Sequence, residues 1–526
     1  MTGIHSEIKR GAKAIYDRRK IIVVAWLLSV AFYSFMTVLR ITNTKDGLWS
    51  GEYYNTGDSG IAEGRWLWPL IEKLRFSNSI EPITSCICLL FIIIGLIMIT
   101  DILEARHKMV EYVFMATVLV SPVVCTYLSY RFNATVFGLS FLLAVLTVFV
   151  LVKYNYSLFS IMASVVIMVL DLAVYQAQMA IIMLLMVVIL IKELCAGSKL
   201  KTVLRKFAID ATVVIVSFIL YKMLWNISCS LNNIQVTAYR GADNMTIADM
   251  IINLPGRIAD SYKAFITYYY DHDALIRHNM LQDSPLMILI SLVVLAVIIF
   301  TAVDQFKASV SRGFAYLFFW LIIPLTLTVY FLVASNALVE LQLSMTQTLL
   351  FPLILILADS VKLQDCFKQR TEWIVGVLAV LIFVLGYGAA YMTSVDIYSA
   401  YEGRKTSDAL MTDVRTELLE QGLYGRDYKY IFLGAPCGNH EFVVHHKWLD
   451  ANRIMRFGYF FPGGDNMKLS YNGLFEYEGT FIRFSDADKY DELVENGIAD
   501  SMPLFPDEGS IRQIDGYVVV KISNIY

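Results

Sequence analysis

The run Lys45-Asp46-Gly47-Leu48-Trp49-Ser50-Gly51-Glu52-Tyr53-Tyr54-Asn55-Thr56-Gly57-Asp58-Ser59-Gly60-Ile61-Ala62-Glu63-Gly64-Arg65-Trp66 mixes carboxylates, aromatic rings and an arginine within one short stretch. That mixture suits a sugar: carboxylates bind hydroxyls, aromatic faces cover the apolar ring faces, and an arginine forks onto phosphate oxygens. A glycosyl acceptor hydroxyl is a poor nucleophile until a carboxylate takes its proton. Asp58 is read as that general base, with Asp46 and Glu52 in reserve. It stands between Gly57 and Gly60, where the backbone can bend to aim it. Gly-Asp-Ser-Gly is equally good turn chemistry, and on residue types alone the turn reading is the stronger. Arg65 is read as a ligand for a lipid-linked phosphate, against a snorkelling arginine on ordinary headgroups. Glu63 is placed to pair with a neighbouring arginine. Trp66 and Trp68 read first as interface-belt residues and second as sugar platforms.

Further polar residues stand in or beside apolar runs, where they are costly. Arg131, Asn133, Asp171, Tyr175, Gln176 and Lys222 all fall on the side of Asp58 in the topology below. They could line an outward cavity for a polar headgroup. Taken singly, each reads better as an interhelix hydrogen bond or a snorkelling cation. His440, His445 and His446 resemble a metal cluster only loosely and read as surface residues. No metal and no cofactor is expected.

The elements that must position these groups are apolar helices. The chain has 526 residues, 57% hydrophobic and only 17% charged, with mean hydropathy +0.58. Soluble domains carry about 25% charged residues. A net charge of −3 leaves no field to attract nucleic acid. Seven cysteines are scattered without CxxC or ligand spacing. Apolar runs near 21–39, 84–101, 111–128, 133–152, 157–174, 177–192, 208–225, 284–303, 313–334, 345–361 and 374–393 give about eleven crossings. Basic residues precede the first run, which lacks a cleavage site and reads as a signal anchor.

With the N-terminus inside, Arg106, Lys108, Lys153, Lys192, Lys199, Lys201, Arg205, Lys206, Lys307, Arg312, Lys362, Lys368 and Arg370 fall in short cytoplasmic loops. The outer face then receives the first loop, 40–83, a long loop, 226–283, and the tail. The split between the fifth and sixth runs, at Asp171–Gln176, carries this count. The fold class expected is therefore an all-α polytopic membrane domain over 1–393, with a small α+β extracytoplasmic domain over 394–526. In the tail, Thr406–Gln421 has helical periodicity, and Lys429–Leu433 and Tyr517–Ile522 read as buried strands. Leu67–Leu74 is amphipathic and reads as an interfacial helix. Tyr268-Tyr269-Tyr270 reads as a sugar-stacking group or an interface belt.

Over nearly its whole length the chain resembles the bacterial serotype-converting O-antigen glucosyltransferases, a branch of the GT-C glycosyltransferases. The first loop with Asp58 and Gly64-Arg65-Trp66 carries the resemblance, with Val174-Tyr175-Gln176-Ala177. So do Tyr430-Ile431-Phe432-Leu433-Gly434, Pro506-Asp507-Glu508-Gly509-Ser510-Ile511 and Asp515-Gly516-Tyr517-Val518-Val519-Val520-Lys521. Asp171 departs from it, standing where a small or apolar residue is expected. The resemblance implies an undecaprenyl-phosphate-linked hexose donor, a surface polysaccharide acceptor, the plasma membrane of a bacterium, and no metal. It implies one inverting displacement, with Asp58 as base and Arg65 stabilising the leaving phosphate. Arg65, Trp66, Arg131, Tyr175, Gln176 and Lys222 are then expected around the donor.

A flippase or polysaccharide exporter would share the spans and polar cavities. It would place its site at the midplane, without a carboxylate-rich first loop. An O-antigen polymerase or ligase would carry its large loop late in the chain. A tethered scaffold would work through the tail alone.

Overall fold

A computed structural model describes residues 16, 18–51, 53–237, 252–270, 278–282, 284–333, 339–361, 368–442 and 455–526. Of the residues read above, Glu52, Lys362, His445 and His446 lie outside them. Helices dominate. In chain order they are α1 (Arg19–Phe32), α2 (Ser34–Val38), α3 (Asp46–Trp49), α4 (Gly57–Ala62), α5 (Trp68–Leu74), α6 (Ile83–Leu103), α7 (Lys108–Leu119) and α8 (Pro122–Ser129). Then come α9 (Ala134–Lys153), α10 (Leu158–Val174), α11 (Met179–Cys195), α12 (Leu200–Asn232), α13 (Leu254–Tyr270), α14 (Pro285–Ala308), α15 (Val310–Leu327) and α16 (Tyr330–Val333). The last are α17 (Met345–Ser360), α18 (Lys368–Glu420), α19 (Gly464–Glu478), α20 (Ala487–Glu495) and α21 (Ile498–Ser501).

Every one of the expected apolar runs is helical, but they differ in length. Among the described residues seven helices are long and apolar enough to cross a membrane, or eight if α7 and α8, bent by 45°, form one broken span. The bend follows from Ser121-Pro122: the Ser121 hydroxyl caps the new helix at Val124 N, and Pro122 cannot donate to the old one. α10 and α17 are shorter apolar helices. The first run is broken at Tyr33 between α1 and α2. Helices α10 and α11 are separate, as the sequence suggested. Tyr175 is extended, with φ −159° and ψ 103°, and a single 3-10 turn, Gln176–Gln178, follows it.

α6, α9 and α10 pack in series, and α10 packs on α12. α11 is nearly all covered, whereas α12 turns Ile215, Ile219, Met223 and Ile227 outward. An apolar helix face left uncovered by protein is a face for lipid.

The last apolar run and the tail's first helix form one element, since α18 is a 53-residue helix, about 80 Å long. Its C-terminal turns bury Leu410, Met411, Val414 and Leu418 in the tail's own core. That core also holds a three-stranded sheet, β1 (Lys429–Leu433), β2 (Ile511–Ile514) and β3 (Tyr517–Lys521), in the order β1-β3-β2. β1 and β3, the two expected strands, pair in parallel with Lys429 opposite Tyr517. β2 adds an antiparallel edge. Leu48 of the first loop belongs to the same core. A Cβ on Gly473 would stand 2.4 Å from the Leu48 carbonyl oxygen, so α3 and α19 meet backbone to backbone. The first loop and the tail thus share a seam.

Candidate active site

Asp46 opens α3, and the chain before it is tied down. The Asn43 side-chain oxygen accepts from the backbone N–H groups of Lys45 at 3.1 Å and Gly47 at 3.0 Å. Asn43 Nδ2 donates to the Ser129 carbonyl oxygen at 3.2 Å, and the Thr42 hydroxyl donates to the same oxygen at 2.8 Å. Asn43 and Ser129 are fully buried. Asp46 is half-buried, and burial raises its carboxyl above the ordinary 3.8. Lys45 and Arg65 oppose that rise, while Glu340 and Glu63 reinforce it, so Asp46 lies within electrostatic reach of all four. Burial also pushes the Tyr54 hydroxyl up to about 12, with Glu72, Glu63 and Asp46 adding to it.

Arg65 is bound on several sides. It pairs with Glu63 at 2.7 Å. Its guanidinium lies 4.7 Å from the Trp68 ring and 5.7 Å from the Tyr175 ring. Trp68 is buried and donates to the Val174 carbonyl oxygen at 2.6 Å, so it is a floor under Arg65 rather than an interface residue. Trp66 is half-buried.

Gln176 and Tyr221 hold this turn from behind. Gln176 Nε2 donates to the Glu63 carbonyl oxygen at 2.9 Å and to the Tyr221 hydroxyl at 2.8 Å. Tyr221 donates to the Gly64 carbonyl oxygen at 3.1 Å, and Trp225 Nε1 to that of Ile61 at 2.8 Å. Gly64 has φ +86°, and a Cβ there would fall 2.2 Å from the Tyr221 hydroxyl. Only glycine fits that conformation and that space together. Tyr221 and Trp225 were missed in the sequence. Their signal was an aromatic pair at i, i+4 astride Lys222. The Lys222 ammonium itself lies 4.2 Å from the Trp225 ring.

Asp58 stands apart. It is exposed on the first turn of α4. That helix is fixed by Glu72, which accepts from Thr56 N at 3.1 Å and from the Thr56 hydroxyl at 2.7 Å.

Arg131 shares an aromatic ring with two other arginines. The guanidiniums of Arg131, Arg40 and Arg404 lie 5.3, 5.3 and 4.0 Å from the ring of Tyr477, in α19. Burial lowers the Arg131 pKa, and Tyr477, Arg40, Glu81 and Arg404 are among the groups that act on it.

Asp171 is fully buried and accepts from the Ser140 hydroxyl at 2.5 Å, an interhelix bond rather than a cavity group. Tyr268 and Tyr269 are buried, and Tyr269 donates to the Gln347 carbonyl oxygen at 2.6 Å. Both line a cavity with His278, Gln347 and Phe351, at the end of α13. No three His, Cys, Asp or Glu residues among the described ones group as metal ligands.

Seven of the described helices are long and apolar enough to cross a membrane, and a braced carboxylate and an ion-paired arginine stand in a long loop of the same chain. The chain belongs to the glucosyl transferase GtrII family, whose sequence model matches residues 50–357, more than half of its length. That family agrees with the resemblance drawn from the motifs. No curated protein and no solved structure matches the chain. The matched stretch contains Asp58, Arg65, Trp66, Arg131, Tyr175, Gln176 and Lys222, and begins four residues after Asp46.

Proposed function

We propose that the protein transfers a glucose from undecaprenyl-phosphate-glucose to a hydroxyl of a surface polysaccharide such as O-antigen. The reaction takes place at the outer face of a bacterial plasma membrane crossed about eleven times, with the N-terminus inside and the tail outside. Its chemistry is one inverting displacement. The acceptor oxygen attacks the anomeric carbon, and a carboxylate takes the acceptor's proton. The bond from that carbon to the phosphate oxygen breaks, and the lipid phosphate leaves.

The observation that carries the reading is the turn that holds Asp46, whose flanking N–H groups both donate to the buried Asn43 side chain; Arg65 is among the charges acting on the Asp46 carboxyl. A base must be aimed, and a fixed arginine answers the charge on the departing phosphate. Asp46, the reserve choice on sequence, is therefore the base in this proposal. Tyr175 and Trp68 orient Arg65, and Gln176 and Tyr221 hold the turn that carries it. Asp58 is the second reading, favoured by its place inside the family match.

The test uses purified full-length protein with labelled undecaprenyl-phosphate-glucose and a purified surface polysaccharide. Label in the polymer, with the anomeric configuration inverted by NMR, is the expected result. A product of retained configuration excludes the single displacement, and transfer only from a nucleotide sugar excludes the lipid donor.

A further inference from the structure

The tail contributes side chains to the seam beside Asp46. Trp49 lies three residues after Asp46 in α3, a spacing that puts both on one side of a helical turn. Its indole N–H donates to the Ser470 hydroxyl of α19 at 2.9 Å. Its ring meets Phe461 edge to face at 6.1 Å. Phe461 comes from the turn before α19 and is 36% exposed, although the neighbouring Phe460 is buried. The Lys45 ammonium lies 5.5 Å from the same ring. Two aromatic rings and a cation therefore stand together at the surface, next to the carboxylate assigned as base.

We infer that Phe461, Trp49 and Lys45 form the acceptor subsite, taking a neutral pyranose unit of the polysaccharide; the inference rests on Asp46 acting as base. A pyranose presents an apolar C–H face and a rim of hydroxyls. Phe461 offers that face a ring, and Trp49, anchored through Ser470, sets the angle of Phe461. Lys45 donates to ring hydroxyls from the residue adjoining Asp46. The arrangement also explains why a transferase of lipid-linked sugar keeps a folded tail. The tail brings the acceptor to a base carried by the first loop.

The experiment measures glucose transfer by full-length protein, varying a lipid-free surface polysaccharide at saturating undecaprenyl-phosphate-glucose, and then the reverse. Phe461→Ala and Phe461→Leu raise KM for the polysaccharide about tenfold, with kcat and donor KM within about twofold of wild type. Phe461→Trp restores acceptor KM, which a merely structural role for the ring would not require. Wild-type acceptor KM in both the Ala and Leu variants overturns the inference. Asp46→Asn, run in the same assay, separates the two claims. Its loss of kcat beside unchanged Phe461 variants leaves the base in place and removes only the subsite. Wild-type kcat in Asp46→Asn removes the base assignment itself.

Discussion

Asn43 and Ser129 meet where the first long loop crosses the end of α8, with Asn43 Nδ2 3.2 Å from the Ser129 carbonyl oxygen. The other end of the same carboxamide fixes the N–H groups on both sides of Asp46. One buried side chain thus ties Asp46, the proposed base, to the helical body. Asn43→Ala removes these bonds, costing about 1–3 kcal/mol locally. The expected outcome is a kcat lowered tenfold or more, since small misplacements of a catalytic group cost about that much. Donor KM stays near wild type. Steady-state kinetics on protein of matched thermal stability checks this.

Gly64 and Gly57 both have positive φ, +86° and +53°, but only Gly64 is crowded. Gly64→Ala meets Tyr221 and Gln176 and pushes the Arg65 turn off its support. Gly57→Ala has nothing within 4 Å and bears the backbone term alone, about 1–2 kcal/mol. Thermal unfolding in detergent should rank Gly64→Ala below Gly57→Ala, and transfer activity should follow the same order.

The pH dependence of transfer should report Asp46. Its base form is the ionised one, and burial raises its pKa above 3.8. Activity is therefore lost as pH falls through that raised value. The acid limb of kcat/KM lies above 3.8 and is absent from the residual activity of Asp46→Asn.

Glu478 makes a separate prediction at the seam. Burial, reinforced by Asp408, raises its carboxyl from 4.5 to about 8. The fold favours the neutral form, so its contribution to stability is complete below about 4.5 and is lost as pH rises through about 8. Glu478→Gln should flatten this loss: the variant unfolds at a higher temperature than wild type above pH 8, measured by thermal scanning across pH.

The helical body was legible because apolar runs have one use in a bilayer, and the break at Tyr175 was marked by Asp171 and Gln176. The joining of the last run to the tail in α18 was not legible. Both parts have helical periodicity, and nothing local says whether the chain bends between them. In the site, Arg65 and Gln176 were found from their types and places. Asp58 was preferred to Asp46 because the family resemblance places a catalytic carboxylate in the first loop and the glycines around Asp58 allow the backbone to aim it. The bracing of Asp46 comes from Ser129, more than eighty residues away, and its charge environment includes Glu340. Arg131 was grouped with Arg65 on topology alone. Its place beside Arg40 and Arg404 comes only from packing against Tyr477 of the tail.

The most direct test of the central claim compares Asp46→Asn with Asp58→Asn at matched membrane abundance, measuring glucose on the surface polysaccharide of whole cells. The account predicts that Asp46→Asn abolishes decoration and that Asp58→Asn retains most of it. Full decoration in Asp46→Asn, with loss in Asp58→Asn, would contradict the assignment and move the base to α4.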